Sequence, residues 1–122
     1  MSRFWQHFVS DGHGGKECHE LGFRGHAVPI LPSLRERLSL TQLTGIEIWR
    51  IRRGRAMADA GCRHGDIIVA ISGRAVADSV ELVATLRRSP AGSAVPIIVL
   101  RNDKLLERLV VPDQYFGTQQ SS

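Results

Sequence analysis

Cysteine is scarce in this chain of 122 residues: Cys18 and Cys62 are the only two. They offer no C-x-x-C pair and no zinc-type spacing, so they ask for neither a structural metal nor a redox motif. A disulfide between them stays open on sequence alone, and Cys62, within DAGCRHGD, reads as a small buried hydrophobe. Aromatic residues are only 6% of the chain, and none but Trp49 interleaves with the arginines. A stacking platform for single-stranded nucleic acid is poorly supplied. No apolar run approaches the ~20 residues of a membrane span. The opening MSRFWQHFVSDGHGG lacks the continuous apolar core of a secretory signal. As written, the chain reads as soluble and cytoplasmic, with no export address of its own.

What is present is an ordinary globular balance, 43% hydrophobic and 23% charged. The length suits one domain, which can bury roughly two-thirds of its unfolded surface without disulfide or metal. The formal net charge is +4, and WRIRRGR contributes Arg50, Arg52, Arg53 and Arg55. Such a cluster is either an anion or nucleic-acid patch or a solvated strand end. The shortage of aromatics favours the second, and no nucleic-acid partner is expected.

Residues 1–18 join an amphipathic start (Phe4, Trp5, Phe8, Val9) to the glycine-rich DGHGGKE, which reads as a short helix and a partly flexible linker. GFRGHAV forms a short strand ended by Pro29. PSLRERLSL (32–40) fits a helix opened by Pro32 or Ser33, with Leu34, Leu38 and Leu40 toward one side. In GIEIWRI (45–51), Ile46 and Ile48 alternate and Ile51 falls one residue out of phase, the mark of a β-bulge. RAMADAG reads as one helical turn closed by Gly61. DIIVAISG (66–73) has the apolar, β-branched character of a strand covered on both faces.

DSVELVATLRR (78–88) is the clearest helix. Asp78 and Glu81 have capping-box spacing, Leu82, Val83 and Leu86 make an apolar face, and Arg87 and Arg88 suit the C-terminal end of the dipole. VPIIVL and KLLERLVV flank RND as a hairpin, with Pro96 at an edge or a strand start. Residues 113–122 read as a disordered tail. The order defines an α+β fold.

GDIIVAISGRAV, followed by the capped helix and VPIIVLRNDKLLERLVV, resembles a PDZ domain, and more narrowly the circularly permuted bacterial kind attached to HtrA/Deg serine proteases. The family's bulky-Gly-bulky loop corresponds to Leu21-Gly22-Phe23, and its valine-rich strand to Ile46–Ile51. Its Gly-Leu-x-x-Gly-Asp corresponds to Gly61-Cys62-Arg63-His64-Gly65-Asp66, and its Asn-Gly to Ser72-Gly73. The chain departs at Arg55-Ala56-Met57, where the family has Ser-Pro-Ala, at Cys62 for leucine, and at His64 for a common proline. None of these lies on the expected groove.

The resemblance implies a small, partly open β-barrel or sandwich capped by two helices, over residues 19–112. It also implies a non-catalytic module that takes C-terminal or exposed apolar peptide ends by strand addition. Leu21, Gly22 and Phe23 would form the carboxylate-binding loop, because glycine permits the backbone shape that turns successive amides one way. Arg24, Gly25 and His26 would lie on the free strand edge. Ser79, Val83 and Leu86 would face that edge from the helix, with Leu86 the first of the three to suit a core position instead. An apolar wall there favours an apolar last ligand residue. The partner in cis would be an HtrA-like protease domain, which would move the location to the periplasm or cell envelope. The alternative is a stand-alone PDZ adaptor or assembly domain. No cofactor is implied.

Enzyme readings fare worse. Ser10, Asp11 and His13 are close in sequence but sit in a glycine-rich linker, and no G-x-S-x-G turn exists. His13, Cys18, His19 and His26 could serve a metal only if a loop closed around it, so they read as surface histidines. GHGGKE lacks the Ser or Thr that a phosphate loop needs after its lysine.

Overall fold

Strand β4 (Ile67–Ile71) runs through the middle of the domain, and its run of branched apolar residues is covered on both faces. Ile68 and Ile71 enter one apolar cluster, together with Leu21, Phe23, Ile46, Ile48, Met57, Leu82 and Ile97. Val69 enters a second, with Ile30 and Leu100, against which Leu34, Leu38 and Leu40 pack. The computed structural model describes residues 16–18, 21–90 and 92–112.

The remaining strands are β1 (Lys16–Cys18), β2 (Phe23–Pro29), β3 (Thr44–Ile51), β5 (Arg74–Ala75), β6 (Val95–Arg101) and β7 (Lys104–Val110). They form an open antiparallel sheet in the order β1-β2-β3-β4-β6-β7, with β5 paired to β4. The helices are α1 (Pro32–Arg37), α2 (Ala56–Asp59) and α3 (Ser79–Arg87). No helix of the described residues is long and apolar enough to cross a membrane.

The phase slip in GIEIWRI is a bulge. Arg24 lies opposite Arg50 and Gly25 opposite Ile48, which leaves Trp49 as the extra residue on β3. Helix α1 stops earlier than its leucine spacing suggested, because Ser39 takes a left-handed φ of 58° that cannot continue a helix. Gly61, with φ 91°, closes α2. At α3 the helix is capped by a variant of the box: Glu81 N donates to Asp78 Oδ1 at 2.8 Å, and Glu81 Oε1 accepts from Ala77 N, the residue before the cap, at 2.9 Å. Asn102 and Asp103, both at positive φ, make the tight turn of the β6–β7 hairpin.

One buried ion pair ties the hairpin to the loop before β4. Arg101 donates to Asp66 through Nε at 2.8 Å and through a terminal nitrogen at 2.7 Å, and also to Gly61 O at 2.9 Å. Asp66 is 2% exposed, and its second oxygen also accepts from Arg63 N. The side-chain hydrogen bond to Asp66 raises the Arg101 pKa.

The start of the chain departs from its sequence reading. Lys16–Cys18 is not part of a linker but a strand paired antiparallel to β2. The proposed helix near Phe4–Val9, the residues Ser10, Asp11, His13 and His19, and the tail 113–122 lie outside the described residues.

Candidate functional site

The turn into β2 is held from behind. Leu21 O accepts from Met57 N and Gly22 O from Arg52 N, each at 2.9 Å. With both carbonyls tied back to the β3–α2 segment, the amides face the other way. They converge on one oxygen: Gly22 N and Leu21 N donate to Cys18 O at 2.8 and 3.3 Å. Successive amides that point one way are the arrangement of anion-binding nests.

Gly22 has φ 75°, and a Cβ there would collide with Arg55 Cβ and lie 3.0 Å from its Cγ. Leu21 and Phe23, 0% and 2% exposed, anchor the turn in the main cluster. Arg52 and Arg53 are exposed and Arg55 half-buried, with Arg52 N bonded to Gly22 O and Arg55 against Gly22. This gives the sequence's arginine cluster a place: it borders the turn.

Beside the turn runs a groove of about 410 Å³ between the β1–β2 edge and α3. Cys18, Phe23, Gly25 and Ile46 line one side, and Ser79, Val80, Leu82, Val83, Ala84 and Arg87 the other. A Cβ at Gly25 would lie 2.8 Å from Glu47 O, Ile46 Cγ2 and Phe23 Cε2, so glycine lets β2 approach β3 closely there. Ser79 Oγ is buried in the groove wall and makes no hydrogen bond among the described residues. An unpaired buried hydroxyl costs about 1–3 kcal/mol.

Of the helix residues expected to face the groove, Ser79 and Val83 do so. Leu86 does not: it is 5% exposed and belongs to the main cluster. The lining residues Val80, Ala84 and Arg87 were missed, although Val80, Val83, Ala84 and Arg87 share one helical face by spacing. Among the strand residues, Phe23, Gly25 and Ala27 turn inward, so Arg24 and His26 can offer only backbone to the groove. His26 Nε2 instead meets Glu47 Oε1 at 3.0 Å, with the Trp49 ring centroid 6.5 Å away. Among the described residues no His, Cys, Asp or Glu cluster suits a metal ion.

The strand edge expected to be free is not free over its first part. Cys18 lies opposite Phe23, Glu17 opposite Arg24 and Lys16 opposite Gly25. Sequence alternation could not reveal this, because a three-residue strand paired through backbone carries no side-chain period.

A turn with convergent amides at the end of an apolar groove, between a strand edge and a capped helix, is the architecture of a peptide-recognition domain. The chain belongs to the PDZ domain family, which matches residues 24–110. It is 25% identical over 107 residues to the serine endoprotease DegS of Escherichia coli (strain K12), a match covering 88% of this chain and 27% of DegS. This chain thus spans about a quarter of the curated relative. The crystal structure of the HtrA3 PDZ domain bound to a phage-derived ligand (FGRWV) superposes with a TM-score of 0.58 at 27% identity, covering 80% of this chain and 90% of that one. The HtrA-type protease AlgW with decapeptide gives 0.56 at 23% identity, over 85% of this chain and 31% of AlgW, a likeness of fold.

Proposed function

We propose that the chain recognises the C-terminal or exposed apolar ends of peptides by strand addition along β2, and that it serves as the substrate-recognition or regulatory part of an HtrA-like serine protease. The observation that carries this reading is the convergence of the Leu21 and Gly22 amides on one oxygen at the end of the groove. A carboxylate offered there gains charge-assisted hydrogen bonds, roughly twice as strong as neutral ones. Val83, with Phe23 across the groove, would receive the apolar last side chain. The buried Ser79 hydroxyl would bond a polar group two residues earlier.

The HtrA3 domain and AlgW, both solved with peptides, support the same use of the fold. On this reading the chain supplies recognition, and peptide cleavage belongs to a separate protease domain.

Titration of a labelled peptide ending in valine, against its C-terminally amidated twin, tests the reading. The carboxylate form is expected to bind about tenfold tighter, which is 1.4 kcal/mol. Equal affinities would overturn the carboxylate-loop assignment.

A further inference from the structure

Strand β1 meets the site as a peptide ligand would. It runs antiparallel to β2, and its C-terminal end points into the turn. Cys18 lies opposite Phe23, next to the turn, with Glu17 and Lys16 in the two preceding places. The Cys18 side chain is 5% exposed and lines the groove. Its carbonyl takes both amides that a ligand carboxylate would need. Direction, side chain and acceptor all coincide.

We infer that Lys16–Cys18 is an internal occupant of the peptide site, so that an external ligand enters by displacing β1 from the β2 edge. The inference rests on the peptide-binding reading and adds regulation to it.

The chemistry makes this occupant displaceable. Its acceptor is a neutral amide carbonyl, weaker toward N–H donors than a carboxylate. Its side chain is small, and about 410 Å³ of groove stays unfilled beside it. Tethering compensates, because a segment joined by a short loop is present at high effective concentration. The internal strand therefore screens ligands: those without a terminal carboxylate or a large apolar end gain too little to replace it. The apparent dissociation constant rises by the reciprocal of the fraction of molecules with β1 displaced.

Two variants move the occupant in opposite directions. Lys16→Pro combined with Glu17→Pro removes a ladder donor, whichever of the alternating amides is engaged. Cys18→Leu fills more of the groove and strengthens the occupant. Against the valine-ended peptide, the proline pair is expected to bind at least about threefold tighter than the parent, and Cys18→Leu at least about threefold weaker. Equal affinity in all three proteins, with the carboxylate form still preferred over the amide, would overturn the internal occupant and leave peptide recognition standing. Loss of that preference in all three would instead overturn the peptide reading.

A second measurement follows the occupant itself. Iodoacetamide labelling of Cys18, read by mass spectrometry with Cys62 as internal reference, should be slow in the parent. It should quicken in the proline pair and on adding peptide to the parent. If Cys18 in the parent reacts as fast as in the urea-unfolded chain, β1 does not hold the edge.

Discussion

Replacing Gly22 by alanine should unsettle the turn by two separable amounts. The first comes from the backbone: at φ 75° an L-residue meets a penalty of about 1–2 kcal/mol. The second comes from contact, because the new Cβ collides with the base of the Arg55 side chain. A Cβ and Cγ cannot swing away as a side-chain tip can, so overpacking adds about 1–3 kcal/mol. The single variant is thus expected to lose about 3.5 kcal/mol, the middle of those ranges taken together. On this geometry Gly22 serves the stability of the turn as well as its shape. Arg55→Gly removes the colliding atoms and leaves the backbone penalty. In that background Gly22→Ala should cost only about 1–2 kcal/mol. Urea unfolding of the four proteins of this cycle measures the difference as a coupling energy. The peptide titration, run on the same proteins, should show weakened carboxylate binding in both alanine variants, since either way the amides lose their shared direction. A cost below about 0.5 kcal/mol, the range of ordinary surface changes, or an equal cost in both backgrounds, would refute the arrangement of the turn.

Two other outcomes follow from the groove and the core. Val83→Asp places a carboxylate where an apolar ligand end should sit, and should weaken valine-ended peptides by at least about tenfold while a serine-ended peptide changes little; equal weakening of both would remove Val83 from the recognition wall. The Cys62 thiol is pushed up from 9.0 to about 11, first by burial and then by the charge of Asp66. Below pH 9.0 both folded and unfolded chains hold the proton and its contribution is intact; above it the unfolded chain ionises first, so stability drains away toward about pH 11. Cys62→Ala should flatten that alkaline loss, as measured by urea midpoints below and within the window, and an unchanged slope would count against the burial of this thiol.

Elements whose side chains face two environments were legible in the sequence. The slip between Ile48 and Ile51 announced the Trp49 bulge because alternation records which face is buried. Asp78 and Glu81 announced the start of α3 because its first amides need oxygen acceptors. Hydropathy went astray where polarity and burial part company. Thr85 is 6% exposed, so the core-facing side of α3 holds Leu82, Thr85 and Leu86, and the groove wall is rotated away from Leu86. Val80, 61% exposed, belongs to that wall although its type suggests a core. Strand β1 was invisible for a different reason: its place is set by backbone pairing and by a turn, and Lys-Glu-Cys carries no pattern that would betray it. The turn and the capped helix could therefore be placed from the sequence, and what lies along the strand edge could not.

The two amides gathered on Cys18 O bear on how occupancy can be observed by hydrogen–deuterium exchange. Leu21 N and Gly22 N are already bonded in the protein by itself, so both should exchange slowly before any peptide is added. A peptide carboxylate would replace one acceptor by another and leave those two positions almost unchanged. The visible signature would appear instead at Lys16–Cys18, where protection is lost as ligand arrives. A footprint sought as new protection at the turn would miss the event, and one read as loosening at β1 would record it.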